Sequence, residues 1–332
     1  MTPAQRSTDR LDEDDVRIRP GRGSRPRTRI RPKHESAAEG MVLAVDRGRF
    51  TCLVDSTRVY AIKARELGRK GVVVGDRVAI IGDVSGRPDA LARIVRVENR
   101  RSVLRRTADD NDPVERVIVA NADQLVIVTS LADPEPRPRL VDRCLVAAYA
   151  AGLDSLLCLT KADLAPPEPL LVVYAPLGVP FVVTMRGADL DPLRERLTGR
   201  SSVLVGPSGV GKSTLVNALV PDAGRQTAEV NPVTGRGRHT SASAVALALP
   251  DGSGWVIDTP GVRSFGLAHV DLRRVIHAFP ELEEGIAECP RGCSHDEPDC
   301  ALDAWVAAGH ADPARLASLR RLLRTRDRKE GD

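Results

Sequence analysis

Three scarcities bound the reading of this 332-residue chain before any motif is considered. Cysteine occurs only 6 times, too seldom for a disulfide-stapled scaffold in a chain this long. No apolar run approaches the ~18 residues of a membrane span, and the N-terminus lacks an apolar stretch of the secretory kind, so a cytoplasmic protein without a membrane segment is expected. Aromatic residues make up 3% of the chain, and Phe50 and Tyr60 are the only two between residues 40 and 100. That region is therefore poorly equipped to stack nucleic-acid bases. With 42% hydrophobic residues, 28% charged residues, 27 Gly and 24 Pro, collagen-like, mucin-like and wholly disordered classes are excluded. The length gives room for roughly two or three domains.

The formal charge of +4 is unevenly distributed. Met1 to Glu39 holds 10 basic and 7 acidic residues, and Asp312 to Asp332 holds 7 basic and 4 acidic, which leaves 32 basic and 34 acidic residues between them. Two positive ends on a near-neutral body suggest contact with a polyanion through phosphate neutralisation. Solvated, solubilising tails would carry the same charge.

The pattern along the chain predicts four regions. Residues 1–39 form a Pro- and Gly-broken basic arm that cannot bury a core. Residues 40–100 contain short β-rich pieces at Met41–Val45, Phe50–Val54, Val59–Ile62, Val72–Val74, Arg77–Ile81 and Ala92–Val97, enough for a small barrel of five or so strands. From 101 to 265 strands alternate with helices: Gln124–Thr129, a helix over Leu140–Ala151, then Ser155–Leu159, Pro180–Thr184, Ser202–Val205, a helix from Gly211, Ala244–Leu249 and Gly254–Ile257. That alternation predicts a parallel, doubly wound α/β sheet. Residues 266–332 turn helical around a cysteine cluster.

Gly206-Pro207-Ser208-Gly209-Val210-Gly211-Lys212-Ser213-Thr214 matches the phosphate-loop pattern and lies between a predicted strand and a predicted helix. Glycines allow successive backbone N–H groups to turn around phosphates at a helix N-terminus; Lys212 neutralises charge on the β and γ phosphates, and the Ser213 hydroxyl is placed for Mg²⁺. Asp258-Thr-Pro-Gly261 follows an apolar strand, as the second acidic motif of a nucleotide hydrolase does. Asp258 can hold Mg²⁺ through water, and the Gly261 N–H can reach the γ-phosphate. Thr160-Lys161-Ala162-Asp163 has the outline of the guanine-reading Asn-Lys-x-Asp motif. The Asp163 carboxylate can accept from guanine N1–H and the 2-amino group together, which selects GTP over ATP. Thr160 stands where that motif has Asn and removes an amide, and an ordinary strand-end turn would use similar residues. Thr184-Met185-Arg186 is a poor match to the last base-contacting loop.

The order of these motifs is inverted: the guanine motif precedes the phosphate loop, so the GTPase domain reads as circularly permuted. With the barrel, Ala120-Asn-Ala-Asp-Gln124, Gly235-Arg-Gly-Arg-His-Thr240 and the Cys/His cluster in sequence, the chain resembles the circularly permuted ribosome small-subunit-dependent GTPases over about residues 40–325. The resemblance implies an OB-fold barrel, a permuted P-loop GTPase domain and a small helical zinc-binding C-terminal domain. The activity implied is GTP hydrolysis assisting late maturation of the small ribosomal subunit, with that subunit's rRNA as partner and a monomeric protein cycling between GTP and GDP. By the same resemblance Thr240 is the switch threonine that joins Ser213 and Asp258 around Mg²⁺. No glutamine follows Gly261, so His239 is the candidate for positioning water. Cys289, Cys293, His295 and Cys300 offer three thiolates and one imidazole, enough for a closed Zn²⁺ site. Both outer gaps are one residue shorter than in the family pattern, which leaves a distorted or lost site as the alternative. The barrel's charges at Arg47, Arg49, Arg58, Lys63, Arg65, Arg69 and Lys70 are candidate rRNA contacts through backbone and shape. Two other classes stay open at this point: a small-molecule P-loop kinase, which would prefer ATP and leave Asp163 unexplained, and an RNA-binding protein that holds nucleotide without needing Lys212.

Overall fold

The computed structural model describes residues 36–68, 71–87, 89–106, 116–223, 244–259, 266–267 and 270–325, all within the compact unit Ser36–Asp332. His239, Thr240, Gly261, Arg69, Lys70 and nearly all of the N-terminal arm lie outside the described residues.

The first five strands are β1 (Ala38–Asp46), β2 (Arg49–Val54), β3 (Thr57–Lys63), β4 (Arg77–Ile81) and β5 (Ala92–Val97). Two-residue turns set the first two hairpins. Arg47 and Gly48 sit at φ 43° and 86°, and Asp55 and Ser56 at 43° and 69°, the paired positive φ values whose twist suits adjoining antiparallel strands. Strand β3 runs parallel to β5, β5 pairs antiparallel with β4, and β4 returns to β1. The circuit β1-β2-β3-β5-β4-β1 closes an OB-type barrel around Val42, Phe50, Cys52, Ile80 and Ile94. The Val72–Val74 run is not one of its strands. Val72 still packs into the barrel core, while Val74 makes an isolated parallel bridge to Val119 and packs with the next region.

Between barrel and main sheet stands a two-stranded pairing that hydropathy does not announce, β6 (Val103–Arg106) with β7 (Arg116–Ala120). The main sheet comprises β8 (Gln124–Ser130), β9 (Asp154–Thr160), β10 (Phe181–Val183), β11 (Ser201–Val205), β12 (Val245–Ala248) and β13 (Trp255–Asp258), ordered β10-β9-β8-β11-β13-β12. All neighbours are parallel except β12, which is antiparallel to β13. The central strands read as unbroken apolar runs because both faces are covered. Leu125, Ile127, Leu157, Val203 and Val205 enter one core, while Val126, Val128, Leu156, Cys158 and Leu204 enter the other.

Helix α1 (Pro138–Ala151) and α2 (Glu168–Tyr174) contribute to the first core, and α3 (Asp191–Leu197) and α4 (Lys212–Leu219) to the second. The chain then forms a 3-10 turn at Leu272–Ala278, followed by α5 (Pro280–Glu283), α6 (Ala301–Ala307) and α7 (Pro313–Leu323). Val275, Phe279, Leu302, Leu319 and Leu322 from this segment complete the first core.

The C-terminal segment is not a free basic arm along its described length. Arg315 is bound to Glu281, Arg320 to Asp303, Arg321 to Asp142 and Arg324 to Asp296. Those four guanidinium groups are thus paired with carboxylates of the fold; Arg326, Arg328 and Lys329 of the same end lie outside the described residues.

Candidate active site

In a parallel sheet, ligands bind beyond the carboxyl ends of the strands, where the first turns of the following helices gather. Four such ends meet here: β8 at Ser130, β9 at Thr160, β11 at Val205 and β13 at Asp258. The 206–211 loop leaves β11 at the middle of the group, because β11 lies between β8 and β13.

Glycine is required in this loop for two different reasons. A Cβ at Gly206 would run into the Val128 carbonyl of the neighbouring strand. Gly209 and Gly211 have φ of 87° and 89°, the left-handed region that side chains disfavour. Helix α4 begins at Lys212 with Gly211 as its N-cap, so the first-turn N–H groups and the positive end of the helix dipole open toward the loop. Ser208, Ser213 and Thr214 are exposed, whereas Val210 is buried and anchors the loop. The Lys212 ammonium is ion-paired with Asp258 Oδ1, both side chains being largely shielded. The two motifs thus meet although 46 residues separate them. Thr259 fixes the end of β13 by donating its hydroxyl to the Leu204 carbonyl at 2.8 Å.

Thr160 is buried, and its hydroxyl donates to the Val210 carbonyl of the phosphate loop at 2.6 Å. Thr160 thus ties the strand-end motif to the 206–211 loop. Lys161 occupies a left-handed backbone position and donates from Nζ to the Asp133 carbonyl. Asp163 is exposed. The loop after β10 joins this corner through Ala162 N–H to the Thr184 carbonyl, 3.2 Å.

A family model describing the RsgA GTPase matches residues 97–268, just over half of the chain. The chain belongs to the RsgA GTPase family. As a member it is a GTP-hydrolysing enzyme, and the permuted motif order is that of its fold relatives. A small ribosomal subunit biogenesis GTPase RsgA from Gemmatimonas aurantiaca is 39% identical over 264 residues, covering 77% of this chain and 85% of that protein. Its namesake from Chlorobaculum parvum is 41% identical over 271 residues, covering 78% and 87%. Among solved structures, YjeQ from Thermotoga maritima aligns with a TM-score of 0.64 at 26% identity, over 88% of this chain and 99% of that one. YloQ, described as a circularly permuted GTPase, aligns with a TM-score of 0.61 at 23% identity, over 91% and 100%.

A second constellation lies in the C-terminal segment of this RsgA-family chain. One ligand atom from each of Cys289, Cys293, His295 and Cys300 falls within 4.8 Å of the others. Cys289 Sγ is 3.9 Å from Cys300 Sγ and 3.7 Å from His295 Nδ1, close to the ~3.8 Å edge of a tetrahedron built on a 2.3 Å metal–sulfur bond. The shortened gaps therefore still bring the four donors together, with His295 reaching its place through a φ of 69°. Burial raises the Cys289 thiol and lifts Cys293 to about 12, while it lowers His295. Thiols raised by burial beside a lowered imidazole suit a cation that takes the protons' place. The group can hold one metal ion.

Of the barrel's basic candidates, Arg47, Arg49 and Arg65 are exposed, with Arg47 and Arg49 at the β1–β2 turn, whereas Arg58 and Lys63 are partly buried. Among the described residues no helix is long and apolar enough to cross a membrane.

Proposed function

We propose that this chain is a cytoplasmic, monomeric GTPase of small-subunit biogenesis, whose nucleotide state governs docking on the small ribosomal subunit and its rRNA. The observation that carries the reading is the Lys212–Asp258 pair at the phosphate loop, with Thr160 bonded to that same loop. The 206–211 backbone and Lys212 would cradle the β and γ phosphates of GTP, and Asp163 would read the guanine edge. Ser213 and Asp258, with Thr240, would hold Mg²⁺, which offsets charge on the phosphates. Water attacks the γ-phosphorus, the bond to the β-bridging oxygen breaks, and GDP and phosphate leave. Gly261 is assigned to the γ-phosphate through its N–H, and His239 to orienting the water.

The barrel at 40–100, the GTPase domain at 101–265 and the C-terminal domain at 266–332 would act as a unit. Zn²⁺ held by Cys289, Cys293, His295 and Cys300 would fix the last of these in shape; a four-protein-ligand site is structural and carries no reaction step. The names of the relatives support the ribosomal assignment, and the exposed Arg47 and Arg49 at the β1–β2 turn would be available to an RNA contact.

The test is GTP turnover with and without purified small subunits across a salt series, parent beside Lys212→Ala. Stimulation that fades as salt rises, and a loss of about 100-fold or more in the variant, are expected. Preference for ATP, or absence of stimulation at low salt, would overturn the assignment.

A further inference from the structure

At the opposite end of the main sheet from the phosphate loop, the amino ends of β11 and β13 face the barrel across an open cleft of about 530 Å³. That volume lies in the range of small-ligand sites. Arg77, Asn99 and Arg100 come from the barrel side, Trp255 and Ser201 from the sheet, and Arg101 and Asn121 from the junction.

The cleft is built rather than accidental. Asp76 is fully buried and grips Arg100 with two bonds of 2.7 and 2.8 Å. Arg101 is paired to Asp123 at 2.9 Å, and Asp123 also accepts from the Ser201 N–H at 2.7 Å. Asn121 donates to the Gly75 carbonyl at 2.9 Å and accepts from the Arg101 N–H at 2.8 Å. These bonds leave other groups uncommitted. Arg77 is exposed and has no ion-pair or hydrogen-bond partner for its guanidinium among the described residues; the same holds for the Asn99 side chain and the Trp255 indole N–H.

The chemistry follows from that inventory. Three guanidinium groups against the Asp76 and Asp123 carboxylates leave an excess positive charge, and the free groups are mostly donors, which suits a phosphate. The half-buried indole adds a flat apolar surface for a planar ring. We propose that this cleft binds a nucleoside phosphate, with Arg77 and Asn99 holding the phosphate and the base lying against Trp255. The ligand could be supplied free or as an unpaired nucleotide of an RNA strand, and both present the same groups to the site.

The experiment uses the full chain saturated with GDP and Mg²⁺, so that the phosphate-loop site is filled. Intrinsic fluorescence is followed during titration with AMP and, separately, with hexauridylate RNA, subtracting the same titrations of Trp255→Phe. A saturable Trp255 signal with AMP assigns a free nucleotide, and one with the RNA alone assigns a strand. In either case Arg77→Glu should raise the Kd by roughly 10-fold or more, the value of one charge-assisted bond. No saturable signal with either probe, or a Kd unchanged in Arg77→Glu, would overturn the proposal. If Arg77→Glu does not fold, judged by its melting curve, Arg77→Gln replaces it with the same expected direction.

Discussion

At the scale of single residues, Thr160 shows how one buried hydroxyl ties the end of a strand to a neighbouring loop. Its hydroxyl reaches the Val210 carbonyl at 2.6 Å from a buried position, so removing it leaves an acceptor of the phosphate loop unpaired. Thr160→Ala should weaken GTP binding by about 3- to 10-fold, the worth of one neutral hydrogen bond, while Thr160→Ser should retain most of it. Equilibrium titration with a fluorescent GTP analogue checks this. Asp142 on α1 offers a second residue-scale prediction. Its carboxyl is pushed up to about 6, chiefly by burial, against the pull of Arg321. The folded state keeps this proton where the unfolded chain has lost it. The stabilisation is therefore complete below the ordinary carboxylate pKa and is gone once pH has climbed past 6. Asp142→Asn escapes that loss, so its stability relative to the parent should rise by roughly 2–3 kcal/mol between pH 4 and pH 7. Urea denaturation at both pH values measures the difference, and a constant gap would contradict it.

At the scale of elements, the junction of barrel and sheet depends on backbone contact. Gly75 has φ 85°, and a Cβ there would strike the Ala120 carbonyl; Ala120 N–H in turn bonds the Val74 carbonyl at 3.0 Å. Gly75→Ala should cost about 2–4 kcal/mol, combining a strained conformation with a displaced strand, and should lower the melting temperature by several degrees. These same elements show what was legible in the sequence. The strands β8, β9 and β11 and the loop at 206–211 could be read directly, since doubly buried strands give continuous apolar runs and phosphate binding constrains glycine spacing. The β6–β7 pairing could not be read, because both strands are short and carry arginines at Arg105, Arg106 and Arg116. Val72–Val74 misled because an apolar triplet looks the same whether it pairs within a barrel or bridges to Val119. The cleft of Arg77, Asn99 and Trp255 was invisible for another reason: its parts come from separate regions, and no local spacing links them. The bond from Thr160 to Val210 spans 50 residues of sequence, so the local motif shows only a missing amide there.

At the scale of the whole molecule, strand β1 explains why barrel and GTPase sheet are continuous. Four successive residues, Met41 to Ala44, are buried. Val42 faces the barrel core, Met41 and Leu43 face one sheet core, and Ala44 the other. Ala44 also pairs with Val245 of β12, so the last strand of the sheet is joined at its first residue to a barrel that closes on itself. Among the described residues, the far end of the eleven-stranded sheet is the three residues Phe181–Val183 of β10, which pair on one side only. Strand-to-strand growth into a fibre needs a donor edge and an acceptor edge on every copy. Two copies that meet through β10 use up that edge on both, so it cannot add a third. Association through β10 would end at a pair.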